Sequence, residues 1–484
     1  MIAATSDALL ASLAGSARTT GTRLEVADAP HFRTEVIDLL VRDAVFNPDP
    51  ALRDAARWLI WSASQALGCG SASIHELYAA RGRGEFPSTA FTVPAINLRA
   101  VAYLTARQAF AAAQERDAGA VIFEIARSEM AYTDQRPAEY TAVVLAAAIR
   151  SGWIGPVFLQ GDHFQFNATK WKADPGAELS GLKDLTAEAV AAGFLNIDID
   201  SSTLVDLSQP TAADEQRVNV GNTVELTALI RTLEPDAVTI SIGGEIGEVG
   251  KANSTEWELR AYLDGYFGAL YGSGLAGISK VSIQTGTSHG GVVLPDGSVA
   301  QVKIDFDTMQ RLSTVARDEY GLAGAVQHGA STLPEEAFGH FPTNGTAEIH
   351  LATGFQNILY DDGGLPADLR AEMMAWCLAN CGDERKADET DEQFLYKTRK
   401  KAIGPFKRAL WDLPPDAEAE IGANLRAKFG LLFDRLGIAG TRSLVDRWVP
   451  VPDLPRPVPV ALGGAAGQAV AAGASAFEDD GSGE

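Results

Sequence analysis

Residues 155–166 read GPVFLQGDHFQF: a Gly-Pro opening, a short apolar run, then Asp162 and His163, two side chains that solvate well and pack badly. Alone, such a stretch is a strand running out into a surface turn. Seven other runs share its grammar: AFTVPAINL (90–98), GAVIFEIAR (119–127), GFLNIDIDS (193–201), AVTISIGGEIG (237–247), GISKVSIQTGTSHG (277–290), LAGAVQHGAS (322–331) and TAEIHLATG (346–354). Between them lie stretches whose apolar residues recur at helical spacing, such as LRAVAYLTARQAFAAAQERDA and YTAVVLAAAIRSG, with Gly or Pro at the joins. Strands that alternate with helices run parallel, and eight such units predict closure into a (β/α)8 TIM barrel. An open doubly wound sheet is the alternative, but no GxGxxG fingerprint opens its first helix.

The barrel region spans 89–360. Before it, residues 1–88 are helical and loop-like and read as an N-terminal elaboration. After it, 361–450 is a charge-dense helical region, and 451–484 is a Pro/Ala/Gly-rich tail with an acidic end, expected to be extended and disordered after about Ala461.

A chain of 484 residues, 46% of them hydrophobic, can bury a large core. Its net charge of -23 argues against binding nucleic acid or an anionic membrane, so an anionic substrate must be met by local donors. Three cysteines, Cys69, Cys377 and Cys381, are too few and too scattered for a disulfide framework and suit a reducing compartment. With no leader-like or membrane-spanning run, the expectation is a cytoplasmic protein.

In a (β/α)8 barrel the C-terminal strand ends converge on one face. Here those ends carry Asn97, Ser128, Asp162 with His163, Asp200, Glu245, His289, His328, and His350 with Thr353. Four of the seven histidines of the chain fall at or just past strand ends. His163, Glu245, His289 and His328 form a donor set that suits a divalent transition metal, since neutral imidazoles favour zinc and a carboxylate compensates charge. Glu248 competes with Glu245 for the carboxylate position; Glu245 lies nearer the strand. Asp198 and Asp200 alternate onto one strand face, either as an inward pair that needs a cation or a shared proton, or as a plain surface pair. Around the histidines, Gly290, Gly329, Ser331 and Thr353 could present backbone or hydroxyl donors to a phosphate or carboxylate.

The motifs GDH, IDIDSST, GEIG, GTSHGG, VKIDFD and QHGAST-LP, in this order, resemble the class II, metal-dependent fructose-bisphosphate aldolases and their ketose-bisphosphate relatives, over about Thr92 to Gln356. The resemblance implies a TIM barrel and one catalytic Zn2+ per chain held by His163, His289 and His328, with room for a second or a monovalent cation. It implies Glu245 as the ligand of an alternative, buried zinc position and Asp200 as a carboxylate near it. Asp162 then handles the proton of the hydroxyl at the cleavage point, and Asn97 and Ser128 line a sugar-phosphate pocket. A homo-oligomer is expected by the same analogy.

The chain departs from the family pattern at its substrate contacts. No basic residue follows His289 in HGGVVLPDG. In the eighth run His350 takes an asparagine place, Ala352 and Gly354 remove carboxylates, and Thr353 is kept. The loop glutamates fall at Ala252 and Asn253, which leaves Glu248 for proton abstraction. The basic run Lys397, Arg399, Lys400, Lys401, Lys407 and Arg408 is either a replacement for the missing phosphate-binding charge or a solvated helix face. The expected function is a zinc-dependent aldolase acting on a ketose phosphate; the alternative is a non-catalytic sugar-phosphate-binding or accessory subunit on the same barrel.

Overall fold

A computed structural model of the chain describes residues 2–247, 252–286, 294 and 304–465. Eight strands form the central sheet: β1 (Val93–Asn97), β2 (Ile122–Ala126), β3 (Val157–Gln165), β4 (Asn196–Asp200), β5 (Ser241–Glu245), β6 (Lys280–Ile283), β7 (Ala325–Gln327) and β8 (Glu348–Leu351). Each pairs in parallel with the next, and β8 pairs back onto β1 with Glu348 opposite Val93, so the sheet closes into a (β/α)8 barrel. All eight runs picked out above are strands, and the β8–β1 pairing excludes the open sheet. The strands are buried along their length because helices cover the outside, which is why they read as near-continuous apolar runs.

The additions pack onto this barrel. The helix Pro415–Arg435 lies against the first barrel helix, Ala102–Glu115. At the N-terminal side, the two-residue strand Ser71–Ala72 pairs with the lower end of β3, and Asn196 of β4 stitches it in place by donating to Ala72 O and accepting from Ile74 N. The N-terminal region also contains an antiparallel hairpin, Ala17–Thr20 with Arg23–Val26, where helix and loop were expected. Its residues ARTTGTRLEV are mostly exposed, so the hydrophobic alternation that announces a strand is weak there.

The described part of the Pro-rich tail is docked. Trp58 Nε1 donates to Arg456 O and Trp61 Nε1 to Leu454 O, and the Arg456 guanidinium stacks 3.3 Å from the centre of the Trp61 ring. Of the stretch after about Ala461 expected to be disordered, residues 466–484 lie outside the described residues. All three cysteines are buried thiols. Among the described residues no helix is long and apolar enough to cross a membrane.

Candidate metal centre

A regular strand sends successive side chains to opposite faces, so adjacent Asp162 and His163 should not both enter the barrel. Here they do. The register of β3 against β4 shifts between Gly161 and Phe164, and His163 takes a positive φ of 39°, the local twist of a β-bulge. Gly161 makes the bulge possible, because a Cβ there would meet the Phe164 ring at 2.5 Å. The outcome is a strand end with Asp162 and His163 both buried and both turned to the interior.

His163 Nδ1 lies 3.2 Å from Asp200 Oδ2 and 3.2 Å from Glu245 Oε2. The ring of His328 is 4.0 Å from that of His163, and its Nε2 is 2.9 Å from Ser282 Oγ of β6. His163, Glu245 and His328 each place one donor atom within 4.8 Å of the others, all buried. Two imidazole nitrogens and a carboxylate oxygen at this spacing, with Asp162 and Asp200 adding negative charge alongside, fit a divalent transition metal. Asp200 is itself oriented, accepting from Gln165 Nε2, Ser202 N and Ser202 Oγ. His289, Gly290 and Glu248 lie outside the described residues.

The protonation tendencies express the same excess of negative charge. Burial works against a charge on His163, but Asp162, Glu245 and Asp200 outweigh it and hold the imidazole well above its ordinary value. Burial, with Asp200 nearby, pushes Glu245 up to about 7 against the pull of His163. Burial also opposes ionisation of Asp162, yet His163, His350 and the Asn97 amide hold it below the usual carboxylate range. Three carboxylates crowded around His163, with Glu245 and the imidazole both driven toward holding a proton, make a site that a cation would neutralise.

The expected substrate residues divide into two groups. Asn97 donates to Asp162 Oδ2 at 2.8 Å and to Glu129 Oε2 at 2.9 Å. Ser128 lies in the short helix that follows β2, Gly329 follows β7 with a φ of 66°, and Thr353 opens the helix after β8. Ser331 Oγ accepts from Ala352 N at 2.6 Å and so ties together the loops after β7 and β8. His350, expected among the substrate contacts, is placed deeper: it is fully buried, with Nδ1 3.0 Å from Asp162 Oδ1 and Nε2 2.7 Å from Glu348 Oε1.

Asp198 and Asp200 are both buried and inward, which removes the surface-pair alternative. The two carboxylates are met separately: Asp200 faces His163, while Lys280 Nζ of β6 donates to Asp198 Oδ2 at 2.9 Å and to Gln160 Oε1 at 2.8 Å and pairs with Glu348. Gly243 of β5 leaves the room for it, since a Cβ there would fall 2.3 Å from Asp198 Oδ1 and 2.9 Å from Lys280 Cε. Lys280 was not among the residues expected to matter, because a lysine in GISKVSI reads as an ordinary polar strand residue. Arg99, also missed, is buried just past β1, pairs with Glu129 and donates to Thr353 Oγ1 at 3.3 Å. Its one sequence signal is a charge immediately after a predicted strand end.

The basic run after residue 396 is not aimed at a phosphate. Arg399 pairs with Asp361 at 2.7 Å and stacks on Tyr396, Lys397 pairs with Glu389, Lys401 with Glu384 and Lys407 with Glu139 at 2.6 Å, while Lys400 lies over Tyr132 and Arg408 over Phe46. Most of these are pairs within the C-terminal region; Lys407 and Lys400 reach the barrel and Arg408 reaches the N-terminal region.

Residues 87–404 match the family model for fructose-bisphosphate aldolase class-II. No curated protein sequence matches the chain. Among solved structures, the glycerol-complexed fructuronate-tagaturonate epimerase UxaE from Cohnella laeviribosi is similar at 13% identity, covering 79% of this chain and 86% of that one with a TM-score of 0.51. The fructose-bisphosphate aldolase of Campylobacter jejuni is 15% identical over 77% of this chain and 97% of that one, with a TM-score of 0.44. The YdjI aldolase of Escherichia coli K12 is 13% identical over 72% and 99%, with a TM-score of 0.40.

Proposed function

From a chain that belongs to the class II fructose-bisphosphate aldolase family, we propose a zinc-dependent aldolase that cleaves or forms a ketose phosphate such as fructose 1,6-bisphosphate by reversible aldol chemistry. The observation that carries the reading is the bulge of β3, which turns Asp162 and His163 into the barrel together, an acid/base beside a metal donor. His163, His328 and Glu245, with His289, would hold the Zn2+, and Asp200 would stand beside it as a carboxylate of an alternative position. Bound there, the cation supplies Lewis-acid polarisation of the substrate carbonyl.

The chain's own residues do the rest. Asp162 takes the proton of the hydroxyl at the cleavage point and returns it in synthesis, work suited to a carboxylate fixed at both oxygens. Glu248 is the proposed base toward the carbon next to the carbonyl. Asn97, Ser128, Gly290, Gly329, Ser331 and Thr353 would bind the sugar phosphate across the barrel mouth. No lysine Schiff base is required, and Lys280, engaged by two carboxylates below the site, is not offered as one. A cytoplasmic homo-oligomer completes the reading.

The test pairs elemental analysis of protein purified without chelator with a coupled assay for triose phosphate release from a panel of ketose phosphates, before and after chelation. Bound zinc with chelator-sensitive release is expected. Bound zinc with ketose epimerised but no triose released would replace the lyase reading by an epimerase. Bound zinc with sugar phosphate retained and no turnover would leave the accessory-subunit alternative.

A further inference from the structure

Beneath the donor set, the interior of the barrel is filled by polar side chains where branched apolar ones are usual. Glu124 of β2, Gln160 of β3, Asp198 of β4, Lys280 of β6, and Glu348 and His350 of β8 are each at most 5% exposed. Glu348 accepts from Lys280, from Gln160 Nε2 at 2.9 Å and from the hydroxyl of Tyr78, which closes the barrel floor. His350 stands on this layer. Its Nε2 is 2.7 Å from Glu348, and its Nδ1 faces Asp162 at 3.0 Å and Glu124 at 3.1 Å.

We propose that His350 is a positioning residue for Asp162, anchored from below by the Lys280–Glu348 pair. Asn97 holds Oδ2 of the Asp162 carboxylate and His350 holds Oδ1, so the carboxylate plane is set from both sides while the bulge of β3 sets its backbone. Lys280 fixes Glu348 and Glu348 fixes the far nitrogen of the imidazole, which leaves the ring no rotation that keeps both bonds. A carboxylate held this way meets the substrate hydroxyl without first reorienting. The inference rests on the proposed role of Asp162 as the acid/base of an aldolase. Competing assignments use the same atoms: Asp162, His328 and His350, and likewise Glu124, Asp198, Glu348 and His350, lie close enough to share a metal ion, although Lys280 already supplies a cation to the second group. His350 instead directs both nitrogens at carboxylates.

The experiment uses the zinc-loaded full-length protein with His350→Leu and His350→Asn. Two reactions are compared: cleavage of the ketose phosphate found in the panel assay, and exchange of solvent deuterium into dihydroxyacetone phosphate, which needs the carbonyl activated but no proton moved by Asp162. His350→Leu is expected to lower kcat for cleavage roughly 10- to 100-fold with exchange and zinc content retained, and His350→Asn, which keeps a donor toward Asp162, to recover most of the loss. A fall in zinc content would make His350 a ligand and overturn the proposal. So would equal losses of cleavage and exchange, or unaltered cleavage in His350→Leu. A wild-type protein that neither cleaves nor exchanges would remove the aldolase reading itself, an outcome distinct from any of these. If His350→Leu fails to fold, the double variant Lys280→Met/Glu348→Gln, which removes the anchor while conserving charge balance, must show the same selective loss of cleavage.

Discussion

Lys280 Nζ stands 2.9 Å from Asp198 Oδ2 inside the barrel, with 1% and 8% of the two side-chain surfaces open to solvent. Glu348 completes the cluster from β8. A buried ammonium shared by two carboxylates contributes little if the whole set is exchanged for apolar residues, but breaking it leaves uncompensated charge. Lys280→Met is therefore expected to lower unfolding free energy by about 3–5 kcal/mol in a denaturant titration. Lys280→Met/Glu348→Gln should regain a substantial part of that loss; a double variant less stable than the single one would contradict the pairing.

The backbone at His163 yields a prediction independent of any ligand. Glycine normally destabilises a strand relative to alanine, but at a φ of 39° the Cβ is the liability. In metal-free protein, His163→Gly should be more stable than His163→Ala by about 1 kcal/mol. Thermal unfolding of the two variants side by side decides it, and the reverse order would remove the bulge geometry.

Donor and acid/base should separate by mutation. His163→Ala is expected to lose zinc and to stay inactive when zinc is added back, whereas Asp162→Asn should keep its zinc and lose roughly 10²- to 10⁴-fold in cleavage. Metal analysis of both variants alongside the cleavage assay checks the division; zinc lost from both alike would merge the two roles.

Acid sensitivity should have a component far from this centre. Burial first, then the charges of Arg231 and Arg83, lowers His75 from 6.5 to about 4, and its buried Nδ1 has no hydrogen-bond partner among the described residues. The fold thus prefers the neutral ring. Its contribution is complete above pH 6.5 and is lost as the pH falls toward 4, because only the unfolded chain gains the proton over that interval. Unfolding free energies at pH 7 and pH 4 should show the wild type losing about 3 kcal/mol more than His75→Gln.

The barrel was legible because each strand is bounded by Gly or Pro and buried on both faces, so that eight short apolar runs stand out from helical periodicity. The grouping of His163, Glu245 and His328 followed from strand ends alone, whereas Asp198 and Asp200 read equally well as an inward or a surface pair until the barrel buried both. Three things were not legible. Nothing in QGDHFQF states that the strand bulges, since a register shift depends on the neighbouring strand and on Phe164 folding back over Gly161. Lys280 and Glu348 are 68 residues apart and show their relation only once β6 and β8 enclose one interior. The depth of His350 could not be read either, because position along a strand does not reveal the layer that the barrel's stagger assigns to it.

The polar interior has a consequence for how the chain reaches its native state. Its members come from β2, β3, β4, β6 and β8, and Glu348, on the last strand to emerge in synthesis, accepts from Lys280, Gln160 and Tyr78 together. A chain that has made only six or seven strands holds Lys280 with one of its two carboxylates, Asp198, and without the other, in a sheet that still has two open edges. In the finished barrel, closure of the ring and charge balance of its floor are thus one arrangement: the strand that seals the sheet also carries the carboxylate that Lys280, Gln160 and Tyr78 share.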